Sequence, residues 1–276
     1  MIIVKDFIKK SFSSYFFHFD DIMLKDKFIQ LPAKGRLLVV TDLHGDLEDY
    51  EKYIDLWDCN NPDHHLVFVG DFIHATCEDD GSIEIIDDVI EKYEKYPNFH
   101  PLLGNHEWSH IVRSPVFKGF NNQTQEFEDL IKKKKGSLEP YLTDYVEFFK
   151  SMPLFVQTEN GLFISHTGPS RFIHSMNDFN MIFDNDYNYD ILHDFLWNRY
   201  DNDYSVADVE GFLEIIGSNC MVVGHTVVDG YFTYGNQLIV SSSFGSDNKA
   251  YLDVDLSLPV RNVDYLINNI KFIQGE

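Results

Sequence analysis

Six short runs of β-branched and aliphatic residues recur along the chain: LLVV at 37–40, LVFV at 66–69, PLL at 101–103, LFI at 162–164, MVV at 221–223 and LIV at 238–240. Apolar runs of this length bounded by polar turns predict buried strands. Between them lie segments whose apolar residues return every three or four positions, such as LEDYEKYIDLW at 47–57 and SIEIIDDVIEKYEKY at 82–96, and these predict amphipathic helices. Strands alternating with helices confine the chain to a layered α/β architecture. No fixed-period repeat and no Gly-, Ser- or Pro-rich linker divides it, so one domain over 1–276 is expected.

The polar strings at the strand ends carry the chemistry. Five runs end in Thr41-Asp42-Leu43-His44-Gly45, Gly70-Asp71, Gly104-Asn105-His106-Glu107, Ser165-His166-Thr167-Gly168 and Gly224-His225-Thr226. Glycine allows a sharp turn and a close backbone approach, and strand C-termini in an α/β layer converge on one crevice. One such string alone is weak: a histidine after a strand is commonly a hydrogen-bonded structural residue, and Asp42 reads equally as the N-cap of the helix near Leu47. Five in order are stronger. Two carboxylates, an Asn-His pair and three further histidines, with no thiolate, exceed what one tetrahedral zinc takes. They suit two divalent ions such as Mn, Fe or Zn, about 3.5–4 Å apart with one carboxylate bridging.

Charge and cysteine usage exclude other classes. The 276 residues hold 45 Asp plus Glu against 22 Lys plus Arg, a formal charge of −23, which repels nucleic-acid phosphates and anionic lipid. No nucleic-acid or membrane partner is expected. Cys59, Cys77 and Cys220 are odd in number and form no CxxC pair, so a reducing, cytoplasmic setting and a monomer are expected. Residues 1–35 open with apolar positions broken by Lys5, Asp6, Lys9 and Lys10, and read as an amphipathic helical extension packed on the domain rather than a membrane span. Residues 112–139 read as a surface excursion next to the site in sequence, with a helix from Glu126 to Lys135 whose lysines 132–135 end in solvent.

The strand-end strings TDLHG, GDFIHAT, GNHE, HTG and GHT, in that order, resemble the signature GDxHG, GDxxDRG, GNHE, HGG, GHT of the calcineurin-like metallophosphoesterases, and within them the phosphoprotein phosphatases. YVEFFKSMPLFVQTENGLFISHTGP, FLWNRY and HTVVDGYFTYGNQLIVSSSF extend the resemblance over roughly residues 36–255. It implies a β-sandwich of two mixed sheets flanked by helices, with two divalent metals at the strand C-terminal ends. Position by position, it implies Asp42 and His44 on the first metal, Asp71 bridging, and Asn105, His166 and His225 on the second. His106 would be the general acid and Arg199 a phosphate clamp, with Asn105 and His74 beside it as substrate contacts. Arg199 also reads as a surface ion-pair residue of the acidic WNRYDND segment.

The chain departs from the pattern at His74-Ala75, where the family has Asp-Arg. One phosphate clamp is lost, and the carboxylate that holds the general-acid histidine becomes an imidazole. An imidazole orients a neighbour but cannot raise its pKa as a carboxylate does. His74 has three readings: it orients His106, touches substrate, or is a neutral replacement. The resemblance implies hydrolysis of phosphomonoesters of proteins or small molecules by a metal-bridging hydroxide. Hydrolysis of dinucleoside polyphosphates, or a phosphatase-like binding module without turnover, are the competing readings.

Overall fold

Leu37, Leu38, Val39 and Val40 are all fully buried, so this strand has a covered core on both faces. That double burial dictates a layered arrangement: sheet against sheet inside, helices outside. The structure is a computed structural model describing residues 27–75, 79–183 and 190–273.

The first half holds β1 (Phe28–Leu31), β2 (Arg36–Val40), α1 (Leu47–Asp55), β3 (His64–Phe68), α2 (Ser82–Lys95), β4 (Phe99–Pro101) and α3 (Asn105–Ile111). A hairpin of β5 (Phe117–Lys118) and β6 (Asn121–Asn122) leads into α4 (Gln123–Lys135) and α5 (Tyr141–Ser151). Then come β7 (Phe155–Thr158), β8 (Leu162–Ser165), a 3₁₀ segment (Met176–Phe183), α6 (Asp190–Trp197) and α7 (Val206–Ile216). The chain closes with β9 (Cys220–Val223), β10 (Tyr231–Tyr234), β11 (Gln237–Val240), β12 (Ala250–Asp255), α8 (Val263–Ile267) and β13 (Ile270–Phe272).

Among the described residues, one mixed sheet runs β13-β12-β2-β3-β4 and the other β1-β7-β8-β9-β11-β10. Val39 and Val67 of the first, with Leu102 just after β4, meet Val156, Ile164, Val222 and Leu238 of the second in one apolar cluster. The opposite faces, with Leu38, Phe68, Phe163 and Met221, join Tyr53 of α1, Ile86 of α2, Phe195 of α6 and Phe212 of α7 in another. Period-two alternation along each strand sorts neighbours into these two cores. This is the predicted sandwich.

Parallel pairing positions the site. β2, β3 and β4 are parallel to one another, and so are β8, β9 and β11. The loops after β2, β3, β4, β8 and β9 therefore leave in register, and these are the loops that carry the polar strings.

Local boundaries shift where backbone bonding overrides pattern. β4 lies two residues earlier than expected. The predicted N-terminal helix falls largely outside the described residues, but Phe28–Leu31 within it form a strand, parallel to β7 with Phe28 opposite Phe155. Phe28 also packs edge-on against Phe179, with centroids 5.3 Å apart, so a sheet edge and an aromatic pocket outweigh the local helical pattern. The excursion begins with the hairpin, and its helix starts three residues before Glu126 at Gln123, with Asn122 as N-cap. Lys134 and Lys135 do not end in solvent: they cross to Glu84 and Asp87 of α2, with Lys134 Nζ 2.6 Å from Glu84 Oε1.

Candidate metal centre

The carboxylates come first, because each needs a glycine opposite it. Asp46 caps α1, accepting from Asp49 N at 3.0 Å, which leaves the Asp42 carboxylate available. Its two oxygens accept from His225 N at 3.0 and 2.9 Å, and a Cβ at position 224 would overlap Oδ2. Likewise a Cβ at position 104 would overlap Asp71 Oδ1, which accepts from His106 N at 3.1 Å. Burial pushes the Asp42 carboxyl up to about 7. Asp71 is also raised well above the carboxylate range, by burial and then by the nearby Glu107 carboxyl.

Around Asp71 the donors fall into two groups. On one side, His166 Nε2 lies 3.6 Å from Asp71 Oδ2, 2.9 Å from Asn105 Oδ1 and 3.2 Å from His225 Nδ1. His225 Nδ1 completes the triangle at 3.0 Å from Asn105 Oδ1. On the other side, His44 Nε2 is 3.7 Å and His106 Nε2 3.9 Å from the same Asp71 oxygen. His44, Asp71 and His106 form one candidate cation group, and Asp71, His166 and His225 the other. Ligand atoms at 2.0–2.2 Å from a tetrahedral or octahedral ion stand roughly 3–3.6 Å apart, the spacing seen here. The donor set fits two divalent ions sharing Asp71, since so many buried lone pairs facing one another repel unless a cation lies between them.

Backbone geometry at these loops is unusual. His44, Asp71, His74 and His225 adopt φ of 47°, 56°, 65° and 63°, a left-handed conformation that costs a residue with a Cβ about 1–2 kcal/mol. Glu107, to which sequence reasoning gives no role, explains part of it. Its carboxylate accepts from Asp71 N at 3.0 Å, Phe72 N at 2.8 Å, Ile73 N at 3.3 Å and Gly104 N at 3.2 Å. One buried side chain thus ties the loop after β3 to the loop after β4.

The family model for calcineurin-like phosphoesterases matches residues 35–265. The chain is a calcineurin-like phosphoesterase. A protein serine/threonine phosphatase from Saccharomyces cerevisiae, described as similar to human phosphatase PP5, has the same fold at 18% identity and a TM-score of 0.69, covering 91% of this chain and 85% of that one. A cold-active protein-tyrosine phosphatase from a psychrophilic Shewanella species matches at 15% identity and a TM-score of 0.59, covering 84% and 79%. No curated protein sequence matches.

This phosphoesterase departs from its family signature where His74 stands, and the structure brings that ring to His106: Nδ1 to Nδ1 is 2.7 Å. His74 Nε2 in turn meets His110 Nε2 at 2.9 Å. Burial lowers His74 to about 2 and His110 to about 4, and holds His106 well below the usual imidazole range. Sequence reasoning missed His110. No helix was expected over these residues, and only on α3 do His106 and His110, four positions apart, share a face.

Two cations approach from opposite flanks. Arg199 lies beside the second donor group, with Nη1 3.3 Å from both His225 O and Thr226 Oγ1, while its backbone N donates to Asp203 at 2.9 Å. Its guanidinium is close enough to favour the ionised form of Asp71. Lys118, on the hairpin, sits over the Phe244 ring at 4.4 Å, and Phe244 packs edge-on against His44 at 4.7 Å. Among the described residues no carboxylate lies within 4 Å of Lys118 Nζ. Sequence reasoning passed over Lys118 because nothing in its neighbourhood is spaced like a motif.

Proposed function

We infer that this chain is a metal-dependent phosphomonoesterase of the phosphoprotein phosphatase type. The observation that carries this reading is the meeting of two donor groups on Asp71, with Arg199 beside one and Lys118 beside the other. We assign Asp42, His44 and Asp71 to one ion, leaving His106 of that donor group off the ion as the proton donor, and Asp71, Asn105, His166 and His225 to the second. When bound, two divalent ions such as manganese supply Lewis acidity that activates a water and neutralises the phosphoryl oxygens.

The chain's own residues do the rest. Arg199 presents a planar fork of N–H donors to the phosphoryl oxygens, held in place through His225 O and Thr226. His106 turns Nε2 toward Asp71 and keeps Nδ1 against His74, so the nitrogen free to hand a proton to the leaving oxygen faces the donor cluster. General-acid assistance of this kind is worth typically 10²–10⁴-fold, mainly for poor leaving groups such as a serine alkoxide. His74 favours an orienting role, but it carries no negative charge to stabilise a His106 imidazolium. Aryl esters, whose phenolate leaves unaided, should therefore be turned over much better than phosphoserine.

That same observation supports a second reading, in which phosphotyrosine is the substrate. The Shewanella protein-tyrosine phosphatase shares the fold, and the exposed rings of Phe117 and Phe120 on the hairpin beside Lys118 offer an apolar rim for an aromatic ester.

The test is metal-stripped protein given back Mn²⁺, Zn²⁺, Fe²⁺ or Mg²⁺ and assayed on p-nitrophenyl phosphate, phosphotyrosine and phosphoserine peptides and diadenosine tetraphosphate, with Asp71→Asn as control. Metal-restored aryl hydrolysis lost in the control is expected. Metal binding without turnover on any ester would point to the binding module, and preference for the dinucleotide would replace the phosphomonoesterase reading.

A further inference from the structure

His106 and His110 lie four residues apart on one face of α3, and His74, held in left-handed backbone on the loop after β3, reaches between them. Its Nδ1 is 2.7 Å from His106 Nδ1 and its Nε2 is 2.9 Å from His110 Nε2. Each contact joins two ring nitrogens, so each needs one N–H and one lone pair. A neutral His74 owns one of each. The direction of one hydrogen bond therefore decides the direction of the other.

If His110 Nε2 accepts, His74 carries its hydrogen on Nε2 and turns the Nδ1 lone pair toward His106. His106 then donates from Nδ1, and a proton released from its Nε2 leaves a neutral ring. In the opposite direction His74 donates into His106 Nδ1. Release of the Nε2 proton would then leave an imidazole anion unless the proton of His74 followed it. The first direction is the one compatible with a general acid.

His110 stands where its Nε2 lone pair would complete that arrangement. The residue is buried, with its ring packed against Phe127 at 5.1 Å and Phe149 at 6.3 Å, and His74 itself packs on Phe127 at 5.9 Å. These apolar walls fix both rings in plane and position. Gln123 at the start of α4 donates to His74 O at 3.4 Å, holding the backbone behind the ring.

We propose that His110 is a positioning residue for the reaction, which accepts a hydrogen bond from His74 Nε2 and so holds His74 in the tautomer that accepts from His106 Nδ1. The role rests on the phosphomonoesterase reading with His106 as acid. In effect two imidazoles in series stand where a single carboxylate would orient the acid, and the outer one sets the polarity of the pair.

Turnover of a phosphoserine peptide and of p-nitrophenyl phosphate separates this role from simple packing. His110→Leu should lose roughly tenfold or more on phosphoserine while aryl-phosphate turnover stays within about threefold. His110→Gln, whose carbonyl accepts, should restore most of the phosphoserine rate. Equal losses on both esters, or no loss on either, would overturn the assignment. Long-range ¹⁵N–¹H spectra of the zinc-loaded native protein give an answer even if the variants do not fold. Hydrogen on Nε2 of His74 is expected, and hydrogen on Nδ1 would overturn it. Native protein that hydrolyses neither ester removes the phosphomonoesterase reading and this role with it, whereas native turnover with an unaffected His110→Leu removes only the role.

Discussion

Two buried histidine pairs sit at opposite ends of β3, alike in chemistry and different in consequence. At the strand's start, His65 stacks on His100 of β4, with centroids 5.3 Å apart and Nδ1 to Nε2 3.1 Å. Beyond its end, His74 meets His106 at 2.7 Å. Burial depresses all four, His100 to about 3 and His74 to about 2. What separates them is the backbone and the company. His65 and His100 lie in regular strands, opposite Leu37 and Val67 in the register, whereas His74 occupies a left-handed turn, as do His44, Asp71 and His225. An imidazole held neutral by burial is therefore not by itself a sign of function; the sign is strained turns that bring several donors to one point.

The sharpest way to break the comparison is to remove one imidazole from each end. His106→Ala should cost about 10²-fold or more in metal-restored phosphoserine hydrolysis, the usual size of general-acid assistance to a poor leaving group. His100→Ala should leave the rate per folded molecule within about threefold. Comparable losses at both ends would show that the two pairs are functionally alike after all.

Glu107→Gln tests whether the strained turns are held by that one carboxylate. An amide cannot accept from four backbone N–H groups, and its NH₂ would face donors. A loss of about 3 kcal/mol in urea unfolding is expected, together with roughly 10–100-fold weaker metal binding by calorimetry. Unchanged metal affinity would mean that the loops keep their shape without it.

Acid separates the pairs differently. His65 and His100 are neutral in the fold, while the unfolded chain takes up protons as pH drops below about 6.5. Their contribution is therefore fully present above pH 6.5 and is lost as pH falls toward 3. A His65→Leu/His100→Leu protein should lose at least about 2 kcal/mol less than the native chain between pH 6.5 and 4.5. Parallel urea midpoints for the two proteins across that range would count against the burial argument.

The smallest effect concerns the flank. Lys118→Ala should raise KM for p-nitrophenyl phosphate about three- to tenfold with little change in kcat, and less at high salt, because an exposed cation near a phosphate is weak and screened. An unchanged KM would place Lys118 outside the substrate's reach.

The strand ends were legible because their information is local. Runs such as LLVV and LVFV encode burial on both faces, and the polar strings after them encode donors, so a layered α/β architecture with donors at its strand ends could be read from order alone, whereas the sandwich and the six residues from Asp42 to His225 came with the family resemblance. Glu107 stood in plain view within GNHE, but its job is to accept from backbone groups of another loop, and no side-chain pattern records that. Phe28–Leu31 carry an apolar pattern that reads as helix until the edge of β7 offers hydrogen bonds.

Residue order thus determined which chemical groups the chain possesses and roughly where each strand delivers them, because hydrophobic periodicity and turn chemistry act over a few residues. Packing alone decided which groups meet. His74 and His110 are 36 positions apart, and Lys118 reaches Phe244 across an even longer separation. Such contacts depend on how loops from two sheets close over one another, a long-range property that the side chains share only once the fold is complete.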